Sequence, residues 1–249
     1  MTQLKAKKLT EQNIKDIMAL QKTITENLHP DEQHFICKKS EQEFMKTLKS
    51  EENYVLGVFD QDNLIAQSTL YMPKNGKERE MSEYEDQLAN EDVAIYKTIL
   101  VSPHYRKHGL MKKMLETFET LDEVKAKKAA LIQIAVENPS SWVNALKHGM
   151  KITKVAKDPE DDAMVLYMKK AFDTKHEEKV VAGEGYALNI NEQLLKHPQI
   201  LFNKMTLVSE NMVGGIWDKE TKSIIWQQKA KQNTNQHQYT YIKEKANAR

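Results

Sequence analysis

The chain is poor in the residues that build special scaffolds. Among 249 residues there is one cysteine, Cys37. No intramolecular disulfide can form, and a lone thiol is expected to pack as a small half-buried apolar side chain in a reducing compartment. Eight glycines and six prolines are too few for a low-complexity or collagen-like chain. No apolar run reaches membrane-spanning length. The lysine-rich segment Met1 to Thr10 lacks the apolar stretch of a signal peptide. Excess charge of one sign is also missing: 37 basic residues stand against 36 acidic ones, a net charge of +1. That balance argues against a nucleic-acid or membrane-surface partner. The eight histidines do not cluster at ligand spacing with cysteine or carboxylates, so no metal is expected. The resulting expectation is a cytoplasmic, soluble protein.

What is present is enough apolar material for a core, 40% of residues, arranged in alternating periods. Leu4 to Leu9 suits a short strand. Thr10 can cap a helix carrying Ile14, Ile17, Met18, Leu20 and Ile24, which His29-Pro30-Asp31 would end. Ser40 and Glu43 have capping-box spacing ahead of Phe44, Met45 and Leu48. Tyr54–Phe59 and Leu64–Met72 read as a hairpin around Asp60-Gln61-Asp62-Asn63, and Lys74 to Glu91 as a long polar loop. Val93–Val101 and Ala129–Val136 are apolar enough for buried strands, with a helix from about Gly109 to Lys125 between them. A short helix with Trp142, Val143 and Leu146 should stop at Gly149, and Lys151–Val155 and Ala163–Lys169 suit two more strands. Beyond the charged run Asp173–Lys179, a helix over Glu192–Met205, limited by Pro198, and a hairpin of Met212–Trp217 and Ser223–Gln228 are expected. The polar tail from about Lys229 is expected to fray. The division is a domain over 1–170 and a C-terminal extension over 171–249.

The segment with the most chemistry is Leu100-Val101-Ser102-Pro103-His104-Tyr105-Arg106-Lys107-His108-Gly109-Leu110-Met111. A strand is stopped by Pro103, a basic turn follows, and a helix starts after Gly109. The first N–H groups of a helix have no intrahelical partner and the helix dipole favours an anion there, so this arrangement can cradle phosphate.

Val101-x-Pro103-x-Tyr105-Arg106-x-x-Gly109-Leu110 resembles the acetyl-CoA-binding motif of the GNAT superfamily of N-acetyltransferases. Downstream, Asn138, Ser141 and Gly149-Met150 resemble that family's second segment. The resemblance spans about Leu4 to Lys170. It implies an α/β (α+β) fold with a mixed, mostly antiparallel sheet flanked by helices, and acetyl transfer from acetyl-CoA directly to a primary amine. It further implies that the main chain of Ile99, Leu100 and Val101 pairs with pantetheine between splayed fourth and fifth strands. The N–H groups of Lys107, His108, Gly109, Leu110, Met111 and Lys112 would hold the pyrophosphate, with Arg106, Lys107 and Lys112 or Lys113 adding charge. Asn138 would contact the pantetheine arm while capping its helix.

Several positions depart from the family pattern. Met111 stands where Gly or Ala is usual. Ala145 stands where many relatives carry a tyrosine acid, and Ile95 and Gln133 where relatives place a glutamate base. No catalytic residue is therefore assigned. Tyr96, His148 and Tyr167 are the nearest substitutes, though the tyrosines suit half-buried sheet positions and His148 an exposed helix end. Trp142 reads as core.

In this fold the loops after the first helix and between the last two strands border the acceptor. Both are acidic here: Glu26, Asp31 and Glu32, then Asp158, Glu160, Asp161 and Asp162. They would gather a cationic amine, on a small molecule or a protein. A non-catalytic coenzyme A-binding or protein-interaction module is the alternative. The C-terminal hairpin, with Trp217, Ile224, Ile225 and Trp226, needs a surface to cover: the sheet, the acceptor site or a homodimer interface.

Overall fold

The computed structural model describes residues 4–28, 36, 38–74, 88–159, 161–177 and 179–230, without the side chains of 183 and 184. The expectations on the His29-Pro30-Asp31 break, Glu32, Cys37, Glu160, most of the 74–91 loop and the tail after 230 lie outside these residues.

Ten strands form one sheet: β1 (Lys5–Lys8), β2 (Asn53–Asp60), β3 (Asn63–Tyr71), β4 (Val93–Val101), β5 (Ala129–Ala135), β6 (Lys151–Lys157), β7 (Met164–Ala171), β8 (Val180–Asn189), β9 (Met212–Asp218) and β10 (Ser223–Lys229). Their order across the sheet is β1-β2-β3-β4-β5-β7-β6-β9-β10-β8. All pairings are antiparallel except β4 with β5. The α/β expectation with a mostly antiparallel sheet holds.

Helices α1 (Ile14–Glu26) and α2 (Glu41–Lys49) cover one face, where Ile17 and Phe44 pack with Val55 and Phe59, and Leu20 and Ile24 with Leu100. Ser40 caps α2 as its spacing implies: its Oγ accepts from Glu43 N at 3.3 Å and its own N–H donates to Glu43 Oε2 at 2.7 Å. The expected helix over Gly109–Lys125 divides into α3 (Leu110–Glu119) and α4 (Asp122–Lys125). With α5 (Pro139–Lys147), α6 (Glu192–Leu195) and α7 (Pro198–Ser209), they serve the opposite face, in a core that joins Met114, Phe118, Trp142, Leu201, Met205 and Trp226. Pro198 sets the division between α6 and α7, since it suits the first turn of a helix and not its interior.

The C-terminal hairpin joins the sheet, one of the surfaces expected for it. Ile152 of β6 pairs with Gly214 of β9, and the Trp142 and Trp217 rings meet edge to face with centroids 6.1 Å apart. Strand β8, which Gly183 and Gly185 hid from the sequence reading, pairs with β10 and occupies the sheet edge.

Candidate active site

Strands β4 and β5 are in register only from Val93↔Ala129 to Ile95↔Leu131. Beyond Ile95 each runs on, β4 to Val101 and β5 to Ala135, without pairing to the other. The outer edge of β4 is therefore open where the resemblance puts pantetheine.

A bulge lies at the same place. Lys97 opposes Thr69 and Leu100 opposes Gln67, so Thr98 and Ile99 together face Ser68. Thr98 takes φ +48°, unfavourable for a β-branched residue. Bulges re-aim backbone groups and interrupt the ladder, and strained backbone of this kind clusters at functional sites. Lys39 Nζ donates to Thr98 Oγ1 at 3.2 Å, bracing the bulge from the α2 side.

The splay opens into a cleft of about 820 Å³, of a size that holds a small-molecule ligand. Its walls include Ile99 and Leu100 of β4, Met111 of α3, Gln133 of β5, Asn138 ahead of α5, and Asp161 and Asp162 between β6 and β7. Of the residues expected to hold the cosubstrate, Ile99, Leu100, Met111 and Asn138 thus come together on the cleft wall. Val101 is half-buried and continues β4. Met111 is buried, and its side chain packs in the core.

Arg106, Lys107, His108, Gly109 and Lys112 are exposed, the first four in the turn ahead of α3. The turn is shaped for close approach. Lys107 and Gly109 have φ of +66° and +72°. A Cβ built on Gly109 would meet no atom within 4 Å, so what the glycine clears is space in front of the backbone. No side chain caps α3, and its first intrahelical bond is Lys113 N to Gly109 O at 3.0 Å. The N–H groups of Leu110, Met111 and Lys112 precede that bond and suit an anion. Tyr105 fixes the turn to β2 by donating to Asp60 Oδ2 at 2.6 Å, and that bond holds its hydroxyl proton more tightly than usual. Asn138 Oδ1 accepts from Ser141 N at 3.2 Å, the expected cap of α5.

His148 is a correction. Instead of an exposed helix end, its side chain is 3% exposed and its Nε2 lies 2.8 Å from Glu119 Oε1. The same carboxylate receives Lys170 and the Tyr96 hydroxyl. Burial by itself pushes Glu119 up, but hydrogen bonds and charge from His148 and Lys170 bring its pKa down to about 2. Tyr96 is pushed well above the usual range by burial and by Glu119. Sequence reasoning missed Glu119 because its partners Tyr96, His148 and Lys170 are remote in sequence and no motif surrounds it. Tyr167, expected half-buried, is fully buried, as is Tyr96. Tyr96, Glu119 and His148 belong to the face covered by α3 and α5.

The other side of the cleft is bordered by Ile36 and by the β6–β7 loop. The loop's described carboxylates are each engaged. Asp158 Oδ2 accepts from Gln133 Nε2, Asp161 Oδ1 accepts from Ala163 N at 3.0 Å, and Asp162 pairs with Lys157 at 2.5 Å. Among the described residues there is no group of His, Cys, Asp or Glu arranged to hold a metal ion, and no helix is long and apolar enough to cross a membrane.

A family model described as the acetyltransferase (GNAT) family matches residues 14–149. The chain belongs to the GNAT family. Solved structures of the same fold include an N-acetyltransferase from Staphylococcus aureus, 13% identical with a TM-score of 0.52, matched over 68% of this chain and 97% of that one. The aminoglycoside acetyltransferase AAC(6')-Ib in complex with coenzyme A is also 13% identical, with a TM-score of 0.52 over 68% of this chain and 95% of that one. The PaiA N-acetyltransferase from Thermoplasma acidophilum, solved with coenzyme A, is 14% identical, with a TM-score of 0.50 over 68% and 99%. No curated protein matches the chain. The GNAT match ends at Gly149, ahead of β6 and β7 as well as of the strands and helices that follow them.

Proposed function

We propose that this GNAT protein transfers an acetyl group from acetyl-CoA directly to a primary amine, on a small molecule or on a protein. The observation that carries the reading is the coincidence of three features: the unpaired edge of β4 past Ile95, the bulge at Thr98, and the uncapped start of α3 behind Gly109. These fit the cosubstrate. Ile99, Leu100 and Val101 have main-chain groups for strand-like pairing, Leu110, Met111 and Lys112 have N–H groups for pyrophosphate, and Arg106, Lys107 and Lys112 add charge. Asn138, on the cleft wall, would contact the pantetheine arm. Bound acetyl-CoA supplies an activated thioester, and a main-chain N–H near the end of β4 would stabilise the oxyanion that forms as the amine attacks. The two solved relatives that hold coenzyme A support this use of the fold. The protein acts in the cytoplasm on this reading, without metal, nucleic acid or membrane.

One observation favours a second reading. Ile95 is fully buried among Val93, Leu131 and Tyr167, Gln133 is an amide and Ala145 has no proton to give. A non-catalytic coenzyme A-binding or interaction module would have the same fold without the chemistry. Thiol release from acetyl-CoA across a panel of primary amines separates the two. Amine-dependent release supports the enzyme. Binding of acetyl-CoA with no release for any amine supports the module.

A further inference from the structure

Two strand positions flank the mouth of the splay on the face that borders the acceptor side. Ile95 is the last residue of β4 in register with β5 and lies in the cluster of Leu131, Val165 and Tyr167. Gln133 is two residues past Leu131, pairs with Tyr167 and lines the cleft. Neither side chain can take a proton at neutral pH.

Among the described residues, the charged groups around them are already committed. From the β6–β7 loop come Asp158 on Gln133, Asp161 on Ala163 and Asp162 on Lys157. From β6 the Lys154 ammonium lies 5.7 Å from the Tyr167 ring, and from β4 that of Lys97 lies 5.2 Å from the Tyr71 ring. Lys39 is on Thr98. Glu137 also lines the cleft, but in the turn beyond the end of β5, next to Asn138, and it too has an interaction partner. Tyr96, also on the cleft wall, gives its hydroxyl to Glu119 on the far face.

Gln133 has a defined orientation. A carboxylate only accepts, so the amide nitrogen must face Asp158. The Oε1 end takes no hydrogen bond among the described residues, and it belongs to a side chain on the cleft wall. An amide oxygen there can accept an N–H from an acceptor nitrogen and hold it beside the open edge of β4, but it cannot remove the proton.

We infer that the acceptor is a weakly basic amine whose nitrogen is held by Gln133 Oε1 and loses its proton to water before attack. An α-amino group, with a pKa of about 7.7–8.0, is the commonest biological example, whereas a lysine ε-amine, at about 10.4, is almost wholly protonated at pH 7. The inference rests on the acetyltransferase reading and narrows its substrate class. In the step, the ammonium form gives a proton to water and the nitrogen lone pair bonds to the thioester carbonyl carbon. The C–S bond then breaks, the thiolate leaves as coenzyme A, and the second proton on nitrogen goes to solvent.

The test is the pH dependence of kcat/KM for three acceptors with acetyl-CoA: alaninamide, aniline and 1,4-diaminobutane. The expected result at pH 7 is at least about tenfold preference for a weakly basic amine over the diamine, following the neutral fraction. The acid limb for alaninamide should break at its own pKa. Alaninamide ahead of aniline points to an α-amine source and the reverse to an arylamine; either supports the inference. Gln133→Glu, which sets a second carboxylate beside Asp158, should shift preference toward the diamine by about tenfold, since paired carboxylates raise one another's proton affinity. Preference of the wild type for the diamine, with an acid limb well below its pKa, would overturn the inference and leave the acetyltransferase reading intact. No turnover of any amine, with acetyl-CoA bound, would overturn both.

Discussion

Lys170 Nζ holds both carboxylate oxygens of Glu119, each at 2.8 Å. His148 lies 2.8 Å from the same carboxylate, and Tyr96 donates to it at 3.1 Å. Four elements meet at one side chain: the end of α3, the end of α5, β4 and β7. Tyr96 directly follows Ile95, where the strands part, so this network fixes the base of the splay from the side away from the acceptor.

That relationship sets an acid-stability prediction. Glu119 is depressed from its usual 4.5 to about 2 in the folded protein. A lowered folded pKa means the stabilisation is fully present above about pH 4.5 and is lost as pH falls toward 2. That depression corresponds to at most about 3 kcal/mol. Glu119→Gln should remove Glu119's share of the loss that the wild type shows between pH 5 and 2 in urea unfolding, and should lower stability at pH 7. Parallel curves for the two proteins would mean the network contributes nothing.

Backbone strain at the basic turn separates folding from binding. Gly109→Ala places a side chain at φ +72° with nothing within 4 Å of the new Cβ. The cost to stability should be the left-handed penalty alone, about 1–2 kcal/mol. The cost to acetyl-CoA affinity should be larger, because the Cβ points where the backbone must approach the ligand. Calorimetric titration beside urea unfolding compares the two losses in one variant.

The extension should unfold with the rest of the sheet. A Cβ on Gly214 would lie 3.0 Å from the Trp226 ring, and Gly214 is the residue that pairs with Ile152. Gly214→Val should cost about 1–3 kcal/mol through overpacking. The wild type should melt in a single transition by tryptophan fluorescence and circular dichroism alike. Two transitions, only one of them moved by the variant, would show that the extension folds by itself.

Asp158 should act through its hydrogen bond to Gln133. Asp158→Asn keeps an oxygen that can accept from Gln133 Nε2, whereas Asp158→Leu leaves the amide free to turn. The Asn variant should stay within about threefold of wild-type kcat/KM for the acceptor, and the Leu variant should fall about tenfold, the worth of one hydrogen bond. KM for acetyl-CoA should hold steady in both. Equal losses in the two variants would assign the effect to charge.

Local signals made the GNAT half readable. Pro103, the glycine at 109 and the apolar periods on either side specify strand, turn and helix within a short stretch, and Ser40 with Glu43 marks a helix start by spacing alone. Asn138 and Gly149 do the same for α5, where Gly149 takes φ +90°. Other features arise from pairings remote in sequence. Strand β8 looks broken by its glycines until β10 lies beside it, and the bulge at Thr98 exists only against Gln67 and Thr69. Glu119 bonds a residue 51 positions away, and nothing near His148 in sequence announces that it is buried. The Asp158–Gln133 bond likewise turns a loop that reads as an acidic wall into the support of a single amide.

Thermal unfolding with and without acetyl-CoA, on the wild type and on Gly109→Trp, tests the central claim most directly. Ligand at a hundred times its Kd stabilises a binding-competent fold by about 2.7 kcal/mol, several degrees for a chain of this size. The account predicts that shift in the wild type and its loss in the variant, whose indole fills the space before α3. A well-folded wild type that does not shift, or a variant that shifts equally, would contradict it.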